Sequence, residues 1–228
     1  MCDSFNATIS FENVSIANSF IISLLHKNIT TLTFRTVDEL QGRRIWAEFP
    51  TDFGKMLVSL KGEALVHLGF YNDTASSELL WVCDGEEASD AVAQYLEHFS
   101  NQLAEGVQPL LAASPSSFQR MVWQGLLQVM PGETCSYGAL ASALGRPRAV
   151  RAVASAVGAN PFALILPCHR ICRQDGGLGG YRWGKSLKAL LLDVERQCKS
   201  NKHLESNASG WEGTLAPSVR NVGASNGS

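Results

Sequence analysis

Apolar and polar positions divide the chain into two differently patterned halves. In the first, β-branched and apolar residues cluster at strand length over 29–34 and 45–49, and residues 55–60 and 64–71 flank Lys61-Gly62-Glu63 as the arms of a hairpin. These runs predict a small antiparallel sheet. Over 86–103, apolar residues at Ala88, Val92, Tyr95, Leu96, Phe99 and Leu103 recur at the spacing of one helix face, which should pack on that sheet.

The second half reads as short helices. After a Pro, Ala and Ser stretch at 108–117, read as a linker, a helix is predicted over 118–130. Ser116 or Ser117 sits near its cap, and Phe118, Met121, Val122, Leu126 and Val129 face inward, up to the stop at Pro131-Gly132. Ser136 caps a second helix over 137–144, Gly145 ends it, and Arg146-Pro147 restarts the chain into a third over 148–157. Two short helices joined by a glycine-containing turn make a helix-turn-helix candidate. Over 149–157 of the second of the pair Arg151 is the only long side chain among small ones. Beyond Asn160-Pro161 the apolar run 162–166 reads as a strand delivering Cys168, a Gly-rich loop follows at 176–180, and a last helix is expected over 184–197 with Glu195 late on it. Both ends, 1–30 and 198–228, are rich in Asn and Ser without sustained periodicity and are expected to be mobile. The division expected is thus a flexible extension (1–30), an α/β domain (31–112), a helical domain (113–197) and a disordered tail (198–228), an α/β (α+β) protein.

Composition narrows the class. With 228 residues, 45% hydrophobic and 18% charged, the chain can bury a proper core. The apolar run at 20–25 is far short of the ~20 residues of a membrane span, and the acids Asp3 and Glu12 before it do not make a basic signal-peptide region, so an intracellular protein is expected. Six scattered cysteines in a chain of this size are read as reduced thiols. The net charge of −2 hides an asymmetry, because residues 118–196 carry ten Lys/Arg against four Asp/Glu, a segment charge of +6. A basic module inside an acidic protein points to a polyanion-binding face.

The candidate chemistry lies at Pro167-Cys168-His169-Arg170. A free thiol with pKa about 8.5 is only a few per cent thiolate at neutral pH, so its neighbours decide whether it reacts. Lowering that pKa by about two units takes roughly 2.7 kcal/mol of preferential anion stabilisation, for which His169 and Arg170 are the candidate suppliers. Taken alone, such a cysteine reads more readily as a buried structural thiol at a strand end than as a nucleophile. Cys168-x-x-x-Cys172 has the wrong spacing for a Cys-x-x-Cys metal or redox site.

Several stretches together resemble the O6-alkylguanine-DNA alkyltransferase family in order and spacing: Phe118-Gln119-x-x-Val122-Trp123, Gly132-Glu133-Thr134-x-Ser136-Tyr137-x-x-Leu140-Ala141, Arg151-Ala152-Val153, Asn160-Pro161, Pro167-Cys168-His169-Arg170, Gly179-x-Tyr181 and Glu195. The resemblance is strong over 116–197 and weaker, at Phe49-Pro50-Thr51-x-x-Gly54, before it. It implies a ribonuclease H-like first domain and a winged-helix-like second one. It also implies irreversible, single-turnover transfer of an alkyl group from guanine O6, with thymine O4 as a further possible donor, to Cys168. His169 would be the base acting through a water, Glu195 would fix its tautomer, and Tyr137 would donate to the leaving purine. Arg151 would insert into the duplex, Ala152 and Ser155 would allow close groove contact, and Arg146, Arg148 and Arg173 would meet phosphates. Asn160 would be a hinge, and Pro167, Leu178, Gly179, Tyr181 and Lys188 would belong to the guanine pocket. The implied partner is double-stranded DNA carrying alkylated bases, met by a monomer in nucleus, cytoplasm or nucleoid, with no cofactor. Some relatives carry a structural zinc, but the corresponding stretch 43–49 has neither Cys nor His, so no metal is expected. Two other readings compete: a non-catalytic alkyltransferase-like module that senses lesions, which has Trp in place of the cysteine, and a thiol hydrolase that turns over.

Overall fold

A computed structural model describes residues 11–27, 29, 32–71, 86–107 and 110–208. Strands β2 (Arg44–Thr51), β3 (Gly54–Lys61) and β4 (Ala64–Tyr71) form the expected antiparallel meander, with Lys55 opposite Tyr71 and Lys61 opposite Ala64 in the hairpin. The sheet is nevertheless mixed. The three-residue strands β1 (Thr33–Arg35) and β5 (Leu110–Ala112) pair in parallel, and β5 runs parallel to β4, giving the order β1-β5-β4-β3-β2. The stretch read as a linker thus supplies a strand. Helix α2 (Glu86–Ala104) covers the sheet as expected, burying Val92, Leu96 and Phe99.

The N-terminal region differs from expectation. Residues Phe11–His26 form helix α1, not a mobile extension, and bury Ala17, Phe20, Ile21, Leu24 and Leu25. That spacing of i, i+3, i+4, i+7 and i+8 is one apolar stripe, and each fully buried Phe, Leu or Ile contributes about 1.5–3 kcal/mol. Phe20 meets Phe99 edge-on at 5.3 Å, and the buried Asn13 donates to Asp90 of α2 at 2.7 Å. The Asn and Ser residues that made the segment look disordered either sit on its outer face or bond across to a neighbour.

In the second half, α3 (Ser117–Leu126) starts at a reciprocal capping box. Ser116 Oγ accepts from the Gln119 N–H at 3.2 Å while Gln119 Oε1 accepts from the Ser116 N–H at 2.9 Å. Helix α4 (Tyr137–Ala143) is capped by Ser136 and followed by α5 (Val150–Gly158). The buried Trp123 indole donates to Ala156 O at 2.9 Å and fixes α5 against α3. The two-residue strands β6 (Cys135–Ser136) and β7 (Ile171–Cys172) pair in parallel, which sets the start of α4 beside the Cys168 segment. Residues 162–166 are fully buried but are not a strand. They fold into tight turns with Leu164 at φ +67°, joined to the sheet backbone among the described residues through a bridge between Phe162 and Leu68. Helix α6 (Lys185–Ala208) continues past the expected end at 197, so the predicted tail begins helical, and residues 209–228 lie outside the described residues. One core cluster runs through both halves, from Phe20 and Leu68 to Trp123, Phe162 and Leu191. Among the described residues no helix is long and apolar enough to cross a membrane.

Candidate active site

Cys168 opens a single 3-10 turn, Cys168–Arg170, at the end of the buried turn segment. Asn160 builds its surroundings. The side-chain amide of Asn160 donates to Leu166 O at 2.8 Å and to Cys168 Sγ at 3.1 Å, while its Oδ1 accepts from the Phe162 N–H at 2.8 Å. A single buried side chain thereby ties the exit of α5 to the sulfur. Burial pushes the Cys168 thiol up to about 11, against the Asn160 hydrogen bond and the positive charges of Lys188 and Arg182. The resting group is the thiol, and a base has to take its proton.

The neighbouring imidazole is itself buried. His169 Nε2 lies 2.9 Å from Glu195 Oε1. Glu195 is lowered to about 2: burial alone would raise it, but the hydrogen bonds and charges of His169 and Arg170 outweigh that effect. An ionised carboxylate only accepts, so Nε2 carries the proton and Nδ1 holds the lone pair. Nδ1 is buried without a hydrogen-bond partner among the described residues. Burial, followed by the charges of Arg170 and Lys188, keeps the imidazole pKa below its usual value despite Glu195, so the ring is neutral and its Nδ1 lone pair is free to accept a proton.

Arg170 does not act on the thiol as its position in the sequence implied. Its guanidinium turns away to Glu195, with Nε 3.0 Å and Nη2 2.8 Å from Oε1, and Nη1 donates to Val129 O at 2.7 Å. The second carboxylate oxygen accepts from the Gly132 N–H at 3.0 Å. Gly132 has φ +76° and an added Cβ would stand 3.1 Å from Glu195 O, so the loop after α3 needs glycine to reach the carboxylate. Lys188, fully buried, donates its ammonium to Ile171 O and Leu178 O and so clamps both ends of the loop between them. Lys188, expected in the guanine pocket, does not line the cleft; its ammonium sits behind the wall, on Leu178 O.

In front of the sulfur lies a cleft of about 1070 Å³, lined among others by Tyr137, Asn160, Cys168, Leu178, Gly179 and Tyr181. The Tyr137 ring lies against Gly179, where a Cβ would meet Cε2 at 3.5 Å and the hydroxyl at 3.7 Å. Burial, then the neighbouring Cys168 and Cys172, raise the Tyr137 hydroxyl, which keeps it a proton donor. Tyr181 stands edge-on to His169 at 6.5 Å and is likewise raised by burial. Pro167 is outside the cleft and caps the 3-10 turn, its carbonyl accepting from the Arg170 N–H.

Residues 117–197 match the family model for the DNA-binding domain of 6-O-methylguanine DNA methyltransferase. The chain is 34% identical over 155 residues to a methylated-DNA–protein-cysteine methyltransferase of Methanosarcina acetivorans, an alignment covering 67% of this chain and 99% of that one. It is 42% identical over 154 residues to the bifunctional transcriptional activator/DNA repair enzyme Ada of Escherichia coli, covering 64% of this chain and 44% of that protein. The chain thus spans less than half of this larger relative's length. The crystal structure of Mycobacterium tuberculosis OGT in complex with DNA superposes with a TM-score of 0.52 at 33% identity, over 67% of this chain and 92% of that one. The chain belongs to the methylated-DNA–protein-cysteine methyltransferase family.

In this member of the methyltransferase family the remaining sequence-selected residues are on the outside. Arg146, Arg148, Arg151, Ala152 and Ser155 are exposed, the last three along one face of α5, whose far end, at Ala154, Val157 and Gly158, borders the cleft. Arg146, Arg148 and Arg151 have no ion-pair partner among the described residues, whereas Arg173, also on the cleft rim, pairs with Asp175 at 3.0 Å. What the sequence did not disclose is the Arg170–Glu195–Gly132 bracket. Its one visible signal is that Arg170 directly follows the Cys-His pair.

Proposed function

We propose that this protein repairs alkylated DNA by direct reversal, moving the alkyl group from guanine O6 to Cys168 in one irreversible step. The observation that carries this reading is the buried set in which Asn160 holds the sulfur and Glu195 fixes the His169 tautomer beneath a cleft roomy enough for an extruded base. His169 Nδ1 receives the Cys168 proton, through a water as intermediary. The thiolate attacks the saturated carbon, an S–C bond forms, and the C–O6 bond breaks with its electron pair leaving on the purine. Tyr137 donates to the purine as that charge develops. The thioether that remains has no route back, so each molecule acts once.

Duplex DNA hides O6 in the stack, and extruding the base costs a few kcal/mol. Arg151 fills the gap, Ala152 and Ser155 let α5 approach the groove, and Arg146, Arg148 and Arg173 take phosphates. This work belongs inside the cell, in nucleus, cytoplasm or nucleoid. Intact-mass analysis after incubation with DNA containing O6-methylguanine tests the reaction. The expected result is one added methylene on the peptide bearing Cys168, absent from Cys168→Ala. Unmodified wild-type protein that still binds the lesion would leave a sensing module in place of a transferase.

A further inference from the structure

Two successive residues of β4 reach across from the sheet to opposite sides of the cleft. Leu68 takes the cysteine side: its N–H donates to Pro161 O at 3.0 Å and its carbonyl accepts from the Ala163 N–H at 2.7 Å, which fixes the turn segment leading to Cys168. Gly69 takes the other side. A Cβ placed there would stand 2.6 Å from Trp183 Nε1 and 3.3 Å from Trp183 Cε2, and 2.6 Å from His67 Nε2, so the indole rests directly on the glycine backbone. Trp183 is 8% exposed and meets Tyr181 edge-on at 5.2 Å, and Tyr181 in turn meets His169. The chain of contact runs from the sheet through an indole and a phenol to the catalytic imidazole. β4 is held by β3, paired with it on both sides of an irregularity at Ser59/Leu60, and is flanked by β5.

The geometry points to Gly69 and Trp183 as positioning residues for alkyl transfer: the N-terminal sheet, through them, sets the distance between Tyr181 and Cys168 across the cleft. The inference rests on the transfer reaction proposed above. Neither residue touches the reacting atoms, and their effect is on where the pocket wall stands. A side chain at 69 forces the indole to move, and packing of the indole on Tyr181 passes the shift to the wall that faces the sulfur.

Misplacement of reacting groups by about 1 Å costs on the order of 100-fold in rate. Single-turnover transfer from duplex DNA containing O6-methylguanine separates positioning from folding. A folding defect lowers the amplitude, the fraction of molecules that react, whereas a positioning defect lowers the rate constant at full amplitude. For Gly69→Ala the rate constant is expected to fall about 10- to 100-fold. Binding of the same DNA, measured in the Cys168→Ser background, should change by less than about threefold, because α5 is untouched. Adding Trp183→Phe to Gly69→Ala removes the indole atoms that clash and leaves His67 Nε2, the end of a side chain on the same strand, as the remaining close contact, so a large part of the rate should return. Gly69→Ala with a wild-type rate constant, or with a loss of amplitude alone, overturns the positioning role. A wild-type protein that transfers nothing fails earlier, at the reaction itself.

Discussion

The floor of the cleft and the outer face of α5 are built on opposite principles. Around Cys168 the polar groups are buried and bonded to one another: Asn160, His169, Arg170, Lys188 and Glu195 are each at most 3% exposed. On α5 and the turn before it, Arg146, Arg148 and Arg151 stand in solvent with no ion-pair partner among the described residues. The buried set gives a single geometry and tolerates little, since removing one member strands the charge of another. The exposed set is cheap to change, because water serves any arginine it leaves behind. The proposed chemistry therefore rests on the first set in an all-or-none way, and the proposed DNA contact on the second by increments.

The strongest way to break that contrast is Glu195→Ala. It leaves the Arg170 guanidinium buried and unpaired, with an expected loss of about 3–5 kcal/mol in denaturant unfolding and loss of transfer. Acid provides a milder version of the same test. The Glu195 carboxyl is depressed from the usual 4.5 to about 2, so its stabilisation is present above pH 4.5 and is lost as pH falls towards 2. Glu195→Gln should remove that share of the pH dependence.

The pH profile of transfer comes next. If solvent had to ionise a thiol of about 11, the rate would climb tenfold per pH unit throughout the neutral range. With His169 as base, its pKa held below 6.5, the single-turnover rate should already be level from pH 6.5 to 8.5. A continuous climb would remove His169 from its role.

Smaller effects belong to the exposed face. Arg151→Ala should slow transfer from duplex DNA about tenfold or more while leaving reaction with free O6-benzylguanine within about twofold, as a loss of base extrusion requires. Equal losses on both substrates would contradict the flipping role. Arg146→Ala should leave stability within about 0.5 kcal/mol and reduce the salt dependence of DNA binding by about one unit of log–log slope.

Local chemistry made much of this legible in the sequence. The hairpin at 61–63, the Ser116 and Ser136 caps and the apolar stripe of α2 depend on residues close in the chain. Helix α1 was obscured because Asn and Ser are interspersed among its apolar residues, and the partners of Asn13 and Asn18, the Asp90 carboxylate and the Asp52 N–H, are distant in sequence. β1 and β5 are three residues long and exist only through parallel pairing with each other and with β4, which no local pattern announces. The run 162–166 had strand composition, yet a short apolar run cannot be told from a buried turn by periodicity, and Leu164 adopts positive φ without a glycine to mark it. At the site, the sequence identified Cys168, His169, Glu195 and Asn160 as residues of interest. That Arg170 faces the carboxylate and not the sulfur follows from three-dimensional packing alone.

The placement of Glu195 on α6 has a consequence for biosynthesis. The ribosome delivers the chain in order, and domains begin to fold as they emerge. Leu68 and Gly69 come first, Cys168 and His169 follow a hundred residues later, and the carboxylate that orients His169 lies 26 residues further on. Until α6 has left the exit tunnel, the imidazole is not locked in one tautomer and Arg170 lacks its counter-charge. Chain order therefore leaves the Cys168–His169 pair without its carboxylate until the last helix has emerged.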